Sequence, residues 1–451
     1  MNSMKKIFLS LLVLLGMTAC ASCNEDQGTN KVDYSRNAVI YEINVRQYTP
    51  EGTFAALQAH LPYLKELGVD ILWIMPIHPI SELNKKGELG SYYAVQDYKA
   101  VNPEFGTLQD FKDLVKNAHD LGMRVIIDWV ANHTGCDHIW VTQHPTWYEY
   151  DALGNLVSPM DWTDTYSLNY DNKDMQAAMI DAMKFWVREC DIDGYRCDVA
   201  SMVPTDFWND VRASLDRIKP VFMLAESSEP DLTLCAFDMV YNWPALFLFD
   251  EVANGKKNAK NIADLVTQQQ HKFPKDAYFM NHITNHDRNT WDGTEFERLG
   301  DGVKAFAALC YVMPGMPLIY TGQEVGLRDR LPFFTKYAGY TQEKNDTYAF
   351  YERLNQLKHD QPALMAGEPG GLWKVYATNQ TDKILFCARE LSGKEVLYIG
   401  NLSDEKVFFD VKDQLPGGVF VEWFSGNVIS FAETTSMVLE PWQFGVFVRQ
   451  E

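Results

Sequence analysis

Short apolar runs alternate with amphipathic helical segments from about residue 38 onward. Runs of this length, bounded by turn residues, are typical of buried strands, and the segments between them have the apolar spacing of helices. The predicted strands are residues 39–45, 71–75, 124–128, 193–198, 221–226, 237–241, 278–284 and 317–320. The clearest predicted helices are residues 54–67, 108–121 and 175–190. Eight β-then-α units in one run predict a closed parallel (β/α)8 TIM barrel over residues 38–360.

The alternation changes in two places. The connection after the third strand is much longer than usual, and it predicts a loop subdomain at about residues 134–174. Most of the aromatic residues in that loop are expected to pack its own small core. They are Trp140, Trp147, Tyr148, Tyr150, Trp162, Tyr166 and Tyr170. Residues 361–451 show short alternating stretches separated by turn residues, which predict a C-terminal all-β sandwich domain.

The N-terminus is predicted to be a targeting segment. Lys5 and Lys6 precede an apolar run, residues 7–17, that is too short for a permanent membrane helix. The small residues before Cys20 resemble the bacterial lipobox, so residues 1–23 are predicted to be a lipoprotein signal peptide, with Cys20 lipidated. A plain signal peptide is the alternative. With residues 24–37 as a tether, we expect an exported protein of the cell envelope, attached to the membrane only through this lipid.

Composition and charge exclude several classes of partner. A chain of 451 residues with 46% hydrophobic and 22% charged residues is an ordinary globular protein. Its net charge of -21 argues against binding to nucleic acid, because phosphate recognition needs a basic surface. The cysteines after residue 23 form no C-x-x-C pair and are predicted to be mostly buried thiols rather than zinc ligands.

Candidate chemistry falls at the carboxyl ends of the predicted strands, where the active sites of such barrels lie. The polar residues at these positions are Asp128, His133, Asp198, Glu226, His286 and Asp287. Arg196 and Asp198 are two residues apart in a strand, so their side chains point to the same side. The guanidinium is expected to lower the pKa of Asp198, and a buried ionised carboxylate is suited to act as a nucleophile. For this pair alone, a structural ion pair is the alternative.

Several segments together resemble the α-amylase family of glycoside hydrolases, family 13. Four of them follow the family's order along the barrel strands: residues 128–133, 194–198, 224–227 and 285–287. Residues 93–98 and 102–107 resemble the family's second βα loop. The resemblance extends from about residue 38 to the C-terminus, because the family also has a loop subdomain and a terminal β-sandwich.

The resemblance implies a retaining glycosidase that cleaves α-1,4-glucosidic bonds, with α-1,6 bonds left open, in starch, maltodextrins or related α-glucans. By resemblance, Asp198 is the nucleophile of a covalent intermediate, and Glu226 is the general acid and later the base. Asp287 stabilises the oxocarbenium-like transition state. Such chemistry needs one ionised and one protonated carboxyl. Arg196 lies beside Asp198, and Glu226 has no cation next to it in sequence, which fits that asymmetry.

The resemblance also implies a set of substrate-binding and supporting residues. Arg196 orients the nucleophile, and His133 and His286 hydrogen-bond the sugar next to the cleaved bond. Tyr93 stacks beneath the same sugar, and Asp128 supports the arrangement from behind.

No metal cofactor is expected. Many members of the family bind calcium through the Asn of the first motif, an Asp in the loop subdomain and a His four residues after the nucleophile. Asn132 is present here, but Ser167 and Met202 occupy the other two positions. Calcium prefers hard oxygen ligands, which a thioether does not offer.

Specificity is less well determined. Ser201 and Met202 replace the Lys-His pair of many starch-acting amylases, and Tyr92 replaces a common glycine and is expected to narrow the pocket. A transglycosylase or glucosyl isomerase of the same family is one alternative. A non-catalytic glycan-binding protein is another, against which the complete carboxylate trio argues. A metal-dependent hydrolase is disfavoured, because no His and carboxylate cluster has metal-ligand spacing.

Overall fold

The computed structural model describes residues 32–413, 416–431 and 436–450. The strands are β1 (Ile40–Ile43), β2 (Ile71–Ile74), β3 (Arg124–Trp129), β4 (His133–Gly135), β5 (Thr165–Ser167), β6 (Gly194–Cys197), β7 (Phe222–Ala225), β8 (Met239–Tyr241), β9 (Tyr278–Asn281), β10 (Met316–Tyr320), β11 (Leu372–Val375), β12 (Ile384–Leu391), β13 (Lys394–Asn401), β14 (Val407–Asp410), β15 (Val419–Glu422), β16 (Val428–Ser430), β17 (Ser436–Leu439) and β18 (Phe444–Arg449).

The helices alternate with these strands along the first three quarters of the chain. They are α1 (Val45–Tyr48), α2 (Phe54–Ala59), α3 (Leu61–Leu67), α4 (Leu108–Asp120), α5 (Ile139–Gln143), α6 (Lys173–Cys190), α7 (Thr205–Asp216), α8 (Trp243–Ala253), α9 (Ala259–Lys272), α10 (Glu295–Leu299), α11 (Val303–Val312) and α12 (Asp346–Asp360).

Eight of the strands form one closed parallel barrel. Their order around it is β1-β2-β3-β6-β7-β8-β9-β10, and β10 pairs with β1 to close it. The predicted (β/α)8 barrel is therefore confirmed, and each of the eight predicted strands contributes to it. The predicted helix at residues 54–67 is two helices, α2 and α3, which meet at His60. Pro62 in the first turn of α3 explains the break, because proline has no N–H and its ring clashes with the preceding turn.

Side chains alternate along each strand, so every second residue points into the barrel and fills its interior. The inward-facing apolar side chains form one buried cluster that includes Ile40, Ile71, Trp73, Ile126, Phe222, Leu224, Met239, Tyr241, Tyr278, Met280, Met316 and Leu318. Gly194 is needed where β6 and β7 approach each other, because a Cβ there would lie 1.8 Å from the Phe222 carbonyl oxygen. The same alternation directs Arg196 and Asp198 to the inside, as the sequence predicts.

The start of the folded region differs from the prediction. The predicted tether, residues 24–37, includes a short 3-10 turn, Asp33–Asn37, that packs on the barrel. Val32 joins the buried interior cluster, and the Ser35 hydroxyl lies 2.5 Å from the hydroxyl of Tyr278. Burial of these side chains explains why residues 32–37 belong to the folded unit. The predicted signal peptide and Cys20 lie outside the described residues.

The long third connection carries a small hairpin of β4 and β5 and the helix α5. Beyond the barrel, β11-β12-β13-β18-β15-β16 form a six-stranded sheet, and β14 and β17 form a two-stranded one. The C-terminal region is therefore all-β, as predicted. Within the described ranges, none of the helices combines the length and apolar character needed to cross a bilayer.

Candidate active site

A cavity of about 470 Å³ opens at the carboxyl ends of the barrel strands. Six of the sequence-predicted residues line it: Tyr93, His133, Asp198, Glu226, His286 and Asp287. The other two, Asp128 and Arg196, are fully buried beneath them. The strand-end positions therefore bring all eight predicted side chains to one place, although they span nearly two hundred residues of sequence.

Arg196 is the centre of this arrangement. Its Nη1 lies 2.8 Å from Asp128 Oδ1 and 2.9 Å from Asp198 Oδ1, and its Nη2 lies 2.7 Å from Glu226 Oε2. Its Nε donates a hydrogen bond to the Tyr241 hydroxyl at 3.1 Å. One guanidinium therefore contacts three carboxylates, with all the groups at least largely buried. The asymmetry expected from sequence, with a cation beside Asp198 and none beside Glu226, is not found, because the neighbouring strand β7 brings Glu226 to the same guanidinium.

The pKa values also differ from the sequence-based expectation. Burial raises the pKa of Asp198 to about 6, although Arg196 acts in the opposite direction. Burial likewise raises the pKa of Glu226 to about 7, again against Arg196. Desolvation outweighs the ion pair here because one guanidinium is shared among several carboxylates. The order of the two pKa values still leaves Asp198 the more readily ionised and Glu226 the more readily protonated.

Glu226 is fixed by one of its two oxygens. Oε2 contacts Arg196 and also accepts a hydrogen bond from the backbone N–H of Val199 at 2.8 Å. Val199 follows Asp198 directly and has a φ of 36°, a left-handed conformation that is uncommon for a β-branched residue. This turn places the backbone N–H of Val199 against Glu226, and it leaves Oε1 available to carry a proton.

A hydrogen-bond chain links the far wall of the cavity to the buried centre. The Tyr93 hydroxyl lies 2.7 Å from His286 Nε2 and donates to Asp128 Oδ2 at 3.1 Å. Trp73 Nε1 also donates to Asp128 Oδ2, at 3.3 Å. His286 Nε2 lies 3.3 Å from Asp287 Oδ2. Tyr93, His286 and Asp287 therefore form one supported surface, and the Tyr93 ring stacks on the imidazole at 5.5 Å.

Glu42 is a site residue that the sequence analysis did not name. Its Oε1 lies 2.5 Å from His286 Nδ1, and both groups are buried. Burial by itself lowers the pKa of His286, but the carboxylates of Asp287 and Glu42 outweigh it and raise the value to about 9. His286 is therefore a cation at neutral pH and donates from both ring nitrogens. The sequence did contain a signal for Glu42, because an acidic residue at an inward-facing position of the first strand is unusual and suggests a role in the site.

The charge on His286 is testable through Glu42. In Glu42→Gln we expect the pKa of His286 to fall and kcat/KM to decrease by roughly 10- to 100-fold, the range set by losing a hydrogen bond between charged groups. NMR titration of His286 and steady-state kinetics on a maltooligosaccharide measure the two effects. Glu324→Gln is the matched control, because Glu324 is also buried but hydrogen-bonds Tyr41 and Tyr340 instead. An unchanged His286 pKa in Glu42→Gln contradicts this role.

His133 has the opposite electrostatic character. Burial lowers its pKa to about 4, so its ring is neutral at neutral pH. The Asn132 side-chain amide lies 3.2 Å from its Nδ1, and the Trp162 ring lies 5.3 Å away. The two histidines of the cavity therefore present one neutral and one positively charged ring to a ligand.

Aromatic residues line the cavity mouth, most of them from loops that the sequence did not single out. Of the seven loop-subdomain aromatics, all within the described ranges, Trp162 alone lines the cavity. Trp147 and Tyr148 are buried in the loop's own packing, as expected. Trp291, Phe333 and Phe334 complete the rim from the connections after β9 and β10. Their tertiary placement could not be inferred from local pattern.

Tyr92 does not narrow the cavity as expected. It is buried, its hydroxyl donates to Asn44 Oδ1 at 3.1 Å, and the Arg46 guanidinium lies 4.1 Å from its ring centroid. Its ring packs edge-on against Phe333 at 5.4 Å. The two tyrosines are the central residues of a turn closed by a hydrogen bond from the Ala94 N–H to the Ser91 carbonyl, and in this turn Tyr93 lines the cavity while Tyr92 packs behind the wall.

The residues at the family's calcium positions do not fit a calcium site. The Asn132 amide is engaged with His133, and Ser167 is paired opposite His133 in the β4–β5 hairpin. Met202 is 45% exposed and offers only a thioether. Among the described residues, no group of three or more His, Cys, Asp or Glu side chains is arranged to hold a metal ion.

Fold and site together define a (β/α)8 barrel enzyme in which three carboxyl groups at the ends of the strands share one arginine. A family profile described as the α-amylase catalytic domain matches residues 22–363. The chain therefore belongs to the α-amylase family of glycoside hydrolases, family 13.

Solved structures of similar proteins agree with this assignment. An α-amylase from Lactobacillus plantarum is 30% identical, with a TM-score of 0.82 over 92% of this chain and 99% of that one. The noncanonic maltogenic α-amylase AmyB from Thermotoga neapolitana is 27% identical, with a TM-score of 0.84 and the same coverage of 92% and 99%. Among relatives compared by sequence alone, the α-amylase MalA of Haloarcula japonica is 28% identical over 74% of this chain. The matched part is 50% of the length of MalA.

Proposed function

We propose that this protein is a retaining glycosidase that hydrolyses α-1,4-glucosidic bonds in α-glucans such as starch and maltodextrins. The observation that carries the proposal is the shared guanidinium of Arg196, which holds Asp198 and Glu226 within 2.9 Å and 2.7 Å of its nitrogens. Two carboxyl groups held this close, with pKa values in the order of a nucleophile and an acid, suit a double displacement at an anomeric carbon.

In the first step, the Asp198 carboxylate attacks the anomeric carbon. The bond from that carbon to the glycosidic oxygen breaks, and this oxygen takes the proton of Glu226 as it leaves. The product of the step is a β-linked glycosyl ester on Asp198 and an ionised Glu226. Arg196 stabilises the carboxylate before attack and the charge that returns to it later.

In the second step, Glu226 acts as a base. It takes a proton from a water molecule whose oxygen attacks the anomeric carbon from the opposite face and displaces Asp198. The sugar is released with the α configuration that it had in the substrate, and both carboxyl groups return to their initial protonation states. The raised pKa of Glu226 suits this alternation near neutral pH.

The transition states on either side of the ester carry positive charge on the sugar ring. Asp287 is the most exposed of the three carboxylates, with 36% of its side chain accessible, and it faces the cavity beside His286. Its negative charge stabilises an oxocarbenium-like sugar. Tyr93 offers a flat aromatic face to the same ring, and the charged His286 holds the Tyr93 hydroxyl and Asp287 in place through its Nε2.

The proposal is tested by following the first products. Incubation with maltoheptaose and soluble starch should release α-anomeric products, seen by NMR before mutarotation, and panose and pullulan report on α-1,6 bonds. Product chromatography with added glucose separates hydrolysis from transglycosylation or isomerisation, which use the same intermediate. Initial β-anomeric products contradict a retaining mechanism, and binding of glucans without any product favours a non-catalytic protein.

Two further proposals rest on the sequence. We propose that the chain is exported and attached to the cell envelope through Cys20, because residues 1–23 have the layout of a lipoprotein signal. We also propose that activity does not depend on calcium, since Ser167 and Met202 replace two of the family's usual ligands.

A further inference from the structure

Residues 82–89, which we call the bridging segment, cross from the loop subdomain to the connection after β10. The segment lies in the long loop between β2 and α4, just before Tyr93. Lys86, within the segment, and Ser91, just after it, line the cavity together with Phe333 and Phe334. The segment is therefore part of the wall of the active site.

At one end, the bridging segment is fixed to the loop subdomain. The backbone N–H groups of Glu82 and Leu83 donate to Asp137 Oδ2 at 2.8 Å and 3.2 Å. The Lys86 ammonium lies 3.1 Å from Asp164 Oδ1 and donates to the Asp161 carbonyl at 3.1 Å. The Asp164 side chain is 4% exposed and the Lys86 side chain is 34% exposed, so the ion pair is shielded from water on the side of Asp164.

At the other end, the bridging segment is fixed to the connection after β10. The Leu89 N–H donates to the Phe334 carbonyl at 2.9 Å. Gly87 lies directly on Phe334, since a Cβ at this position would be 2.5 Å from the Phe334 Cβ. Arg46 holds the two loops together, because its guanidinium donates hydrogen bonds of 3.3 Å to the carbonyls of both Phe333 and Leu89.

The contacts show which part of the cavity this wall closes. The Phe333 ring stacks on the Tyr93 ring at 6.1 Å. Lys86 donates to the carbonyl of Asp161, and the next residue, Trp162, has its ring 5.3 Å from that of His133. The wall therefore adjoins the residues that hold the sugar donating the anomeric carbon. Glu226, which protonates the leaving group, contacts Arg196 and Val199 instead. Neither end of the bridging segment is anchored near Glu226, so we place the wall on the side away from the leaving group, which is the nonreducing-end side.

We propose that the bridging segment makes this enzyme act from the nonreducing ends of its substrates, with Lys86 as the residue that holds the closure. This inference rests on the proposed function. A wall connected at both ends would keep a long chain from continuing past the sugar bound at Tyr93. Internal bonds of a polysaccharide would need that path, whereas a chain end enters the cavity and stops at the wall.

The test compares two maltoheptaosides, one with a free nonreducing end and one with an ethylidene group bridging O4 and O6 of its terminal glucose. The wild type is expected to cleave the blocked substrate on the order of a hundredfold more slowly, because its end group cannot be seated in the closed cavity. Lys86→Met keeps the apolar stem but removes both contacts of the ammonium. We expect this variant to cleave the blocked substrate roughly tenfold faster than the wild type does.

Lys85→Met is the matched control, because Lys85 pairs with Glu82 at 2.6 Å within the same segment and does not line the cavity. Asp164→Asn is a second way to break the closure if Lys86→Met is poorly folded. Equal cleavage of both substrates by the wild type overturns the inference and leaves the proposed function intact. Cleavage of neither overturns the proposed function. Identical profiles of the Lys86 and Lys85 variants show that Lys86 does not hold the closure.

Discussion

Asp198→Asn should lower kcat for maltooligosaccharide hydrolysis by roughly ten-thousand-fold or more, because the asparagine amide is a poor nucleophile and does not form the covalent ester. The amide keeps the size of the side chain and a contact with Arg196, so binding of substrate is expected to survive. The measurement is kcat by product chromatography together with the dissociation constant for a maltooligosaccharide. Asp301→Asn, on the exposed 3-10 turn after α10, is the matched control.

The role of Asp198 as nucleophile can be tested a second way, by chemical rescue of an alanine variant. Asp198→Ala leaves space beside the anomeric carbon, so added azide should restore turnover of α-glucosyl fluoride and give the β-glucosyl azide. A single displacement by azide inverts the configuration, whereas the wild-type reaction retains it. Full activity of Asp198→Ala without azide means that another group is the nucleophile. An α-configured azide product means that azide attacks a glycosyl-enzyme formed elsewhere.

Much of this site could be predicted because its geometry follows from strand periodicity. Asp128, Asp198 and Glu226 each end a buried strand, and the parallel barrel brings those ends to one rim. The two-residue repeat places Arg196 and Asp198 on the same side without any tertiary information. These positions depend only on which residues form strands and on which face of each strand is inward.

The electrostatics could not be predicted in the same way. Arg196 and Glu226 are 30 residues apart, and Glu42 and His286 are 244 apart, so neither contact is visible in local sequence. The pKa of Asp198 depends on how many carboxylates share the arginine and on how much water is excluded. Sequence adjacency predicted a lowered pKa, and burial reverses the direction.

The cavity walls depend on loops, for which no periodic signal exists. Phe333, Phe334 and Trp291 lie in irregular connections, and their positions are fixed by contacts with each other and with the bridging segment. The sequence predicted a loop subdomain after the third strand. It could not predict that a separate loop joins that subdomain to the connection after β10, which is the feature from which we infer action at chain ends.

Glu226→Gln should lower kcat for natural glucans by roughly a hundred- to ten-thousand-fold, because the glycosidic oxygen leaves without its proton. The loss should be much smaller for α-glucosyl fluoride, whose leaving group needs little protonation in the first step. Azide should then speed the release from Asp198 and give the α-glucosyl azide, since two inversions retain the configuration. Glu229→Gln, an exposed glutamate three residues away, is the matched control.

The dependence of kcat/KM on pH tests the role of Glu226 independently. Asp198 must be ionised, so kcat/KM of the wild type should fall as the pH drops through about 6, and Glu226 must be protonated, so it should fall as the pH rises through about 7. The expected profile is a narrow bell with its maximum between these values. In Glu226→Gln the fall in kcat/KM above about pH 7 should disappear from the residual activity toward a maltooligosaccharide, whose leaving group needs the proton, because glutamine does not titrate. Survival of that fall in the variant assigns the acid to a different group.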